Sequence, residues 1–185
     1  VNKPTSDLSL FTHQIHLSLG DKLKYACWLI LSNLFFLTNI PYPNFLKVLL
    51  LRMMGAQVGH GVVIKPWVKI KLPWKLSLGN QVWLGEACWI DNISEVRIGN
   101  DVCISQGALL LTGNHDYAKR SFDLMSKPIE IEDGVWIGAK STIVGGVTLK
   151  SHCVTGVGVI ILRDTEAYQV YSLNANIQVK ERVIK

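Results

Sequence analysis

The densest run of side chains able to do chemistry is Thr112-Gly113-Asn114-His115-Asp116-Tyr117. It sets an imidazole, whose free pKa is about 6.5, beside a carboxylate and a phenol, the make-up of a proton-transfer centre at neutral pH. The competing reading of His115 is a loop histidine that only hydrogen-bonds its surroundings. His13 and His16 precede any regular pattern, His60 follows Gly59 at a corner and His152 falls in a late turn, so surface or packing roles suit these four better. Cys27, Cys88, Cys103 and Cys153 are scattered, without the close pairs that zinc sites and redox motifs use, and read as buried thiols. No metal site is expected. The run around His115 holds no cysteine and Ser121 lacks an activating arrangement, so the centre has a base but no evident covalent nucleophile. Phosphate-loop and dinucleotide glycine motifs are absent from the sequence, which leaves nucleoside triphosphate and nicotinamide chemistry without support.

Such a run needs a frame. From Val58 onward apolar residues recur at steps of six: Val58, Ile64 and Ile70; Leu78, Leu84 and Ile90; Ile98, Ile104 and Leu110. An offset of eight separates successive trios, and after a break the step of six resumes at Ile131, Ile137, Ile143 and Leu149. Glycine directly follows the apolar position at 59, 79, 85, 99 and 138. A period of six is not helical; it describes very short strands, each followed by a turn. Three such flats close one coil of about eighteen residues, and its backbone stacks on the next coil at ~4.8 Å. The longer offsets add two residues at every third corner. The expectation is a triangular prism of about five coils, filled by ladders of Val, Ile and Leu. The hexads stop across residues 112–128, and 17 residues without structure inside a compact coil are long enough to call for a function.

Ahead of the repeat, residues 22–37 and 44–54 carry more apolar side chains than one helical stripe needs, and Pro41 and Pro43 break them apart, which predicts two short helices. Their spare apolar surface covers the end of the core, faces another subunit or, with Lys22, Lys24, Lys47 and Arg52 nearby, grazes an anionic membrane. The most lipid-like segment, 27–37, is well short of the ~20 residues a span requires. A chain of 185 residues suits one domain, and 49% hydrophobic with 18% charged residues excludes disorder for most of it. The net charge of +5 is too diffuse to announce a nucleic-acid groove but suits a phosphorylated cofactor. The sequence does not open with the basic region, apolar run and cleavage site of a secretory signal, so a cytoplasmic location, or the inner face of the cytoplasmic membrane, is expected.

The hexads LSLGNQ, VWLGEA and VRIGND resemble the signature of the hexapeptide-repeat acyltransferases, an aliphatic residue, Gly and four more. FLKVLLLRMMGAQVG, VCISQGALLLTGNHDY and FDLMSKPIEIEDGVWIGAK resemble, within that family, the colanic acid biosynthesis acetyltransferases, and the resemblance runs over almost the whole chain. It implies an all-β fold, a left-handed parallel β-helix, assembled as a homotrimer. The expected division is a helical cap at 1–57, the β-helix at 58–167 carrying loop 112–128, and a tail at 168–185 packed on the helix or a neighbouring subunit. By motif the resemblance makes His115 the catalytic base, taking the proton of an acceptor hydroxyl as its oxygen attacks an acetyl thioester, while Asp116 steadies the histidine or the loop.

Acetyl-CoA is then the co-substrate, lying between coils of adjacent subunits. The resemblance places it against Trp136, Gly138, Ala139 and Lys140, with Gly138 leaving room for its approach, Ala139 offering an N–H to the pantetheine amides and Lys140 meeting a phosphate. Trp136 has a rival role in subunit packing. Gly156, Val157, Arg163 and Lys180 extend the cofactor site over the final coils. Asp91, Asn92, Asn114 and Tyr117 are the candidates to line the acceptor pocket, although the short side chains of Asp91 and Asn92 also suit a turn.

The final coils depart from the resembling proteins: Val157 stands for a small residue and Leu162 for a threonine, both near the expected pantetheine path, while Arg163 and residues 180–182 keep positive charge. The expected function is direct O-acetylation of a sugar hydroxyl, free or lipid-linked, in bacterial surface-polysaccharide synthesis, with neither an acyl-enzyme nor a metal. N-acetylation of an amino sugar and a non-catalytic β-helix scaffold or sugar-binding module are the alternatives.

Overall fold

The computed structural model describes residues 7–11 and 18–173, and the backbone of residues 178–181. Helix α1 (Leu19–Phe35) begins at a capping box, in which Ser18 Oγ accepts from the Asp21 N–H and the Asp21 carboxylate accepts from the Ser18 N–H. Helix α2 (Asn44–Met53) starts directly after Pro43. Both cap the open end of the first coil. Trp28 donates its Nε1–H to Ile70 O at 2.8 Å, and the buried Lys47 donates to Ile64 O at 3.1 Å. Burial lowers the pKa of that lysine from its ordinary value.

The first coil is β1 (Gln57–Val58), β2 (Val63–Ile64) and β3 (Lys69–Ile70), and the second is β4 (Leu76–Leu78), β5 (Trp83–Leu84) and β6 (Trp89–Asp91). The third is β7 (Val96–Ile98), β8 (Cys103–Ile104) and β9 (Leu109–Leu111), followed by an antiparallel hairpin of β10 (Gly113–His115) and β11 (Leu124–Ser126). The coil resumes with β12 (Ile129–Ile131), β13 (Trp136–Ile137) and β14 (Thr142–Val144), then β15 (Thr148–Leu149), β16 (Val154–Thr155) and β17 (Ile160–Ile161). Strand β18 (Gln169–Ser172) lies parallel on β16 and opens a further coil, and β19 (Gln178–Glu181) folds back antiparallel on it.

Parallel pairing builds three walls. Sheet one runs β1-β4-β7-β12-β15, sheet two runs from β2 through β5, β8, β13 and β16 to β18 and β19, and sheet three runs β3-β6-β9-β14-β17. The register follows the hexads: Val58 pairs with Leu78 and Leu78 with Ile98, whereas Ile131 pairs with Leu149 after the two extra corner residues are lost. Of the thirteen hexad residues only Val58 is not fully buried. The six-residue period concealed a second inward set at the corners, among them Val62, Val82, Val102, Val135 and Cys153, which fill the prism's edges. At the corner after sheet one, Gln81, Asp101, Gly134 and His152 stack in the left-handed backbone region, with φ of +56°, +55°, +68° and +59°. Each donates its N–H to a carbonyl one coil below, as Gln81 does to His60 O at 2.8 Å, which offsets the strain of a positive φ in the non-glycine residues.

Two expectations need correction. Residues 112–128 are not without structure but hold the β10–β11 hairpin. The four cysteines are not all buried: Cys88 and Cys153 are, with the Cys88 thiol pushed up to about 12 by burial, whereas Cys27 is exposed and Cys103 half-buried. Among the described residues no helix is long and apolar enough to cross a membrane. His13, His16 and the side chain of Lys180 lie outside the described residues.

Candidate active site

The hairpin leaves the solenoid at the corner between sheets three and one, where β9 ends. Its root is tied inward. Thr112 is buried, donating its hydroxyl to Asp91 O at 2.9 Å and accepting from the Ser94 N–H at 3.0 Å. From the fourth coil Gly145 approaches so closely that a Cβ there would stand 2.6 Å from Thr112 O and 2.7 Å from Lys127 O. Any side chain at 145 would push the root outward, so the glycine sets how low the hairpin sits.

His115 ends β10, half-buried. Its ring stacks on Phe122, with centroids 4.4 Å apart and planes 8° from parallel, and Phe11 covers it at 5.5 Å. Nδ1 lies 2.9 Å from Phe122 O. A carbonyl oxygen can only accept, so the neutral ring carries its hydrogen on Nδ1 and keeps the lone pair on Nε2. Nε2 has no hydrogen-bond partner among the described residues. The arrangement presents a positioned base.

Asp116 takes the loop and not the ring. Its Oδ1 accepts from the Ala118 N–H at 3.1 Å, and Lys119 Nζ stands 4.0 Å from the carboxylate. Lys119 pairs more closely with Asp123, at 3.0 Å, and the Ser121 hydroxyl followed by this ammonium holds the Asp123 carboxyl below its ordinary range. Asn114 Oδ1 accepts from the His115 N–H, and Tyr117 is exposed at the hairpin tip. Sequence reasoning missed Phe11, Phe122 and Asp7. The Asp7 N–H donates to Arg120 O at 2.9 Å and its carboxylate pairs with Arg120 at 3.4 Å, which brings the N-terminal segment over the hairpin. The six-residue period carries no trace of that contact, because it joins residues more than a hundred positions apart.

Below the hairpin lies a cavity of about 380 Å³ whose lining includes Leu111, Asn114, Met125, Lys127, Val144 and Leu162. Asp91 is the lateral neighbour of Leu111 in sheet three, and its Oδ1 stands 2.7 Å from Lys71 Nζ in an ion pair that is not a well-directed hydrogen bond. Asn92 is fully buried; its amide donates to Leu72 O at 2.7 Å and accepts from the Leu72 N–H at 3.0 Å, so its polar atoms serve the corner. Arg163 is exposed just beyond β17, on the hairpin's side of sheet three.

The remaining predicted residues stand across sheet three from this group. Trp136 projects from sheet two, half-exposed, and donates its Nε1–H to Ser105 Oγ at 3.0 Å. Gly138 leaves room for the next coil: a Cβ would meet Thr155 O at 2.5 Å and Gly156 backbone at 2.6 Å. Gly156 in turn accepts from the Ser141 hydroxyl at 2.7 Å and donates to Tyr171 O at 2.6 Å, so both glycines hold coils together. The Ala139 N–H has no partner among the described residues, and Lys140 and Val157 beside it are exposed. Within this strip the unpaired amide and the cation suit the amides and phosphates of a coenzyme A arm. Within one chain this strip and His115 sit at different corners of the prism, so the chain by itself does not bring base and strip together. No cluster of metal-binding side chains occurs among the described residues.

No family model matches the sequence. A protein of Escherichia coli K12 named for acetyl transfer in colanic acid biosynthesis, WcaF, is 32% identical over 177 residues, covering 96% of this chain and 97% of that one. A hexapeptide-repeat acetyltransferase from Vibrio cholerae, solved in complex with acetyl coenzyme A, matches with a TM-score of 0.77 at 20% identity over 94% of each chain. A galactoside acetyltransferase in complex with coenzyme A matches with a TM-score of 0.77 at 23% identity, over 90% of this chain and 84% of that one. What the solved structures share with this chain is the fold, the left-handed parallel β-helix of hexapeptide repeats.

Proposed function

From the premise that the chain belongs to the hexapeptide-repeat acetyltransferase family, we propose that it transfers acetyl from acetyl-CoA to a saccharide hydroxyl during surface-polysaccharide synthesis in the cytoplasm. The observation that carries the reading is the single acceptor of the His115 Nδ1–H, Phe122 O, which leaves Nε2 bare on a ring held from two sides. Acetyl-CoA supplies an activated acyl carbonyl. Nε2 takes the proton of the acceptor hydroxyl as the oxygen attacks, and Phe122 O stabilises the imidazolium that forms. The same proton then passes from Nε2 to the departing sulfur. General base catalysis of this kind contributes roughly 10²–10⁴-fold. Buried or half-buried thiols whose pKa is raised by desolvation, as at Cys88 and Cys103, support direct transfer over a cysteine acyl-enzyme.

Ala139 would bind a pantetheine amide through its N–H, while Lys140 and Arg163 would draw the phosphates. Because base and strip stand at different corners, the reading includes a homotrimer in which the hairpin of one copy faces the Ala139 corner of the next. The acceptor enters the cavity under the hairpin, near Asn114 and Asp91. A second reading, a saccharide-binding scaffold, is favoured by two bulky, exposed side chains, Val157 beside Ala139 and Leu162 in the lining of the cavity under the hairpin. Titration of acetyl-CoA followed by thiol-release assays over a panel of saccharides separates the two, with the product's linkage read by NMR. We expect cofactor binding and an O-acetylated product. Absence of acetyl-CoA binding would overturn the transferase reading, and an amide product would reassign the acceptor to an amino sugar.

A further inference from the structure

The capped end of the solenoid carries apolar rows that its core does not use. On α1 the core takes Trp28 and Ser32, while Leu19, Leu23, Ile30 and Leu34, at steps of four and seven, form one outward row, Leu19 being 80% exposed. On α2 the core takes Leu50 and Leu51, while Phe45, Leu49 and Met53, at steps of four, look outward, Phe45 being 73% exposed. A water-facing helix does not need such rows.

Charge is segregated in the same sense. Residues 18–75 hold eight Lys and Arg, of which only Lys47 is buried, against one acid, Asp21. Residues 76–173 hold seven Lys and Arg against eleven acids. Aromatic side chains accompany the basic ones: five of the six tryptophans fall between positions 28 and 89. Lys24 Nζ lies 4.8 Å over the Trp74 ring, Lys65 Nζ 4.6 Å over Trp83 and Lys69 Nζ 4.2 Å over Trp89. Apolar rows rimmed by lysine and tryptophan match the layers of an anionic bilayer surface: acyl chains, headgroup boundary and phosphate. A second copy seated on this end would bring two strongly basic surfaces together.

We propose that the capped end docks on an anionic lipid bilayer, with the outward rows of α1 and α2 entering the acyl boundary and the lysine–tryptophan pairs meeting the headgroups. The hairpin root, two coil spacings of ~4.8 Å and one helix diameter of ~10 Å from the cap's outer face, then stands about 20 Å above the surface. That height suits a saccharide carried on a lipid; this consequence rests on the acetyl-transfer reading, and the docking does not.

The test is flotation of the intact protein with unilamellar vesicles of phosphatidylcholine alone or with one-third phosphatidylglycerol. Binding is expected to the anionic vesicles and not to the neutral ones. It should weaken about fivefold for each charge removed in Lys22→Gln and Lys69→Gln, and about tenfold or more in the double variant Leu23→Ser, Phe45→Ser. These positions are exposed, so the melting temperature and acetyl-CoA binding should stay at wild-type values, which separates failure here from failure of the transferase reading. Wild-type protein that stays with the aqueous phase, or a serine variant that floats as well as wild type, would overturn the proposal. Loss of oligomer mass in that variant, without vesicle binding by wild type, would assign the rows to a subunit interface instead.

Discussion

In the wall of the solenoid, Ile137 is paired to Ile104 on one side and Thr155 on the other and is fully buried; in the hairpin, His115 is held by one carbonyl and two rings and is half open to solvent. Every wall residue repeats a solution its neighbours above and below have already adopted, so no single bond decides its place. The hairpin has no such neighbours. Its height depends on Gly145, its root on Thr112, and its histidine on Phe122. On the proposed reading the difference assigns stability to the wall and chemistry to the hairpin, and substitutions should separate them.

The largest separation is expected from His115→Ala. Thiol release should fall roughly 10²–10⁴-fold with acetyl-CoA binding and melting temperature unchanged; retention of more than a tenth of the rate would break the contrast from the hairpin's side. Ile137→Ala should show the reverse. It removes about 2–5 kcal/mol of folding stability in urea melts, yet turnover per folded molecule should hold. Gly145→Val probes the joint between the regions: its side chain would lift the hairpin root, and a displacement of about 1 Å is expected to cost up to ~100-fold in kcat, with a smaller stability loss than Ile137→Ala. A Gly145→Val enzyme of full activity would show that the root is free to adapt.

Smaller effects concern the hairpin tip. Asp116→Asn should change kcat by less than about threefold, since a cap of the Ala118 N–H is worth ~1 kcal/mol at most when exposed and touches no reacting atom. A loss comparable to that of His115→Ala would make Asp116 the group that holds the imidazole. Asp123 gives a pH signature. Its carboxyl is held low by Ser121 and Lys119, so its contribution is present above the unfolded-chain pKa and is lost as pH falls through the depressed folded value. Stability measured across that acidic window should flatten slightly in Asp123→Asn, whereas a variant with the wild-type slope would remove Asp123 from the tip's support.

The wall was readable because its rule is periodic: thirteen hexad positions lay in one list, and the structure buries twelve of them fully. The two helices were readable for a related reason, since prolines bound them and apolar density fills them. The hairpin was located but not recognised as one, because strands reading Gly-Asn-His and Leu-Met-Ser show no alternation. The partner of His115 was out of reach for a different reason. It is a backbone carbonyl, which any residue at 122 would supply, and the ring of Phe11 arrives from the far end of the sequence. Gly138 was noticed for a ligand's sake, although the backbone of the next coil already claims the space. Asn92 suited either an acceptor pocket or a turn, and its burial with both amide atoms on Leu72 decides for the turn.

Nitrogen NMR of histidine-labelled protein, with His115→Gln to assign the resonance, tests most directly whether the hairpin offers a base. In the neutral ring Nδ1 should be protonated and Nε2 bare, and the Nδ1 proton should be protected by its bond to Phe122 O. A ring protonated on Nε2 with Nδ1 bare would contradict the account, because the lone pair would then be turned toward a carbonyl and no proton could be taken from an acceptor hydroxyl.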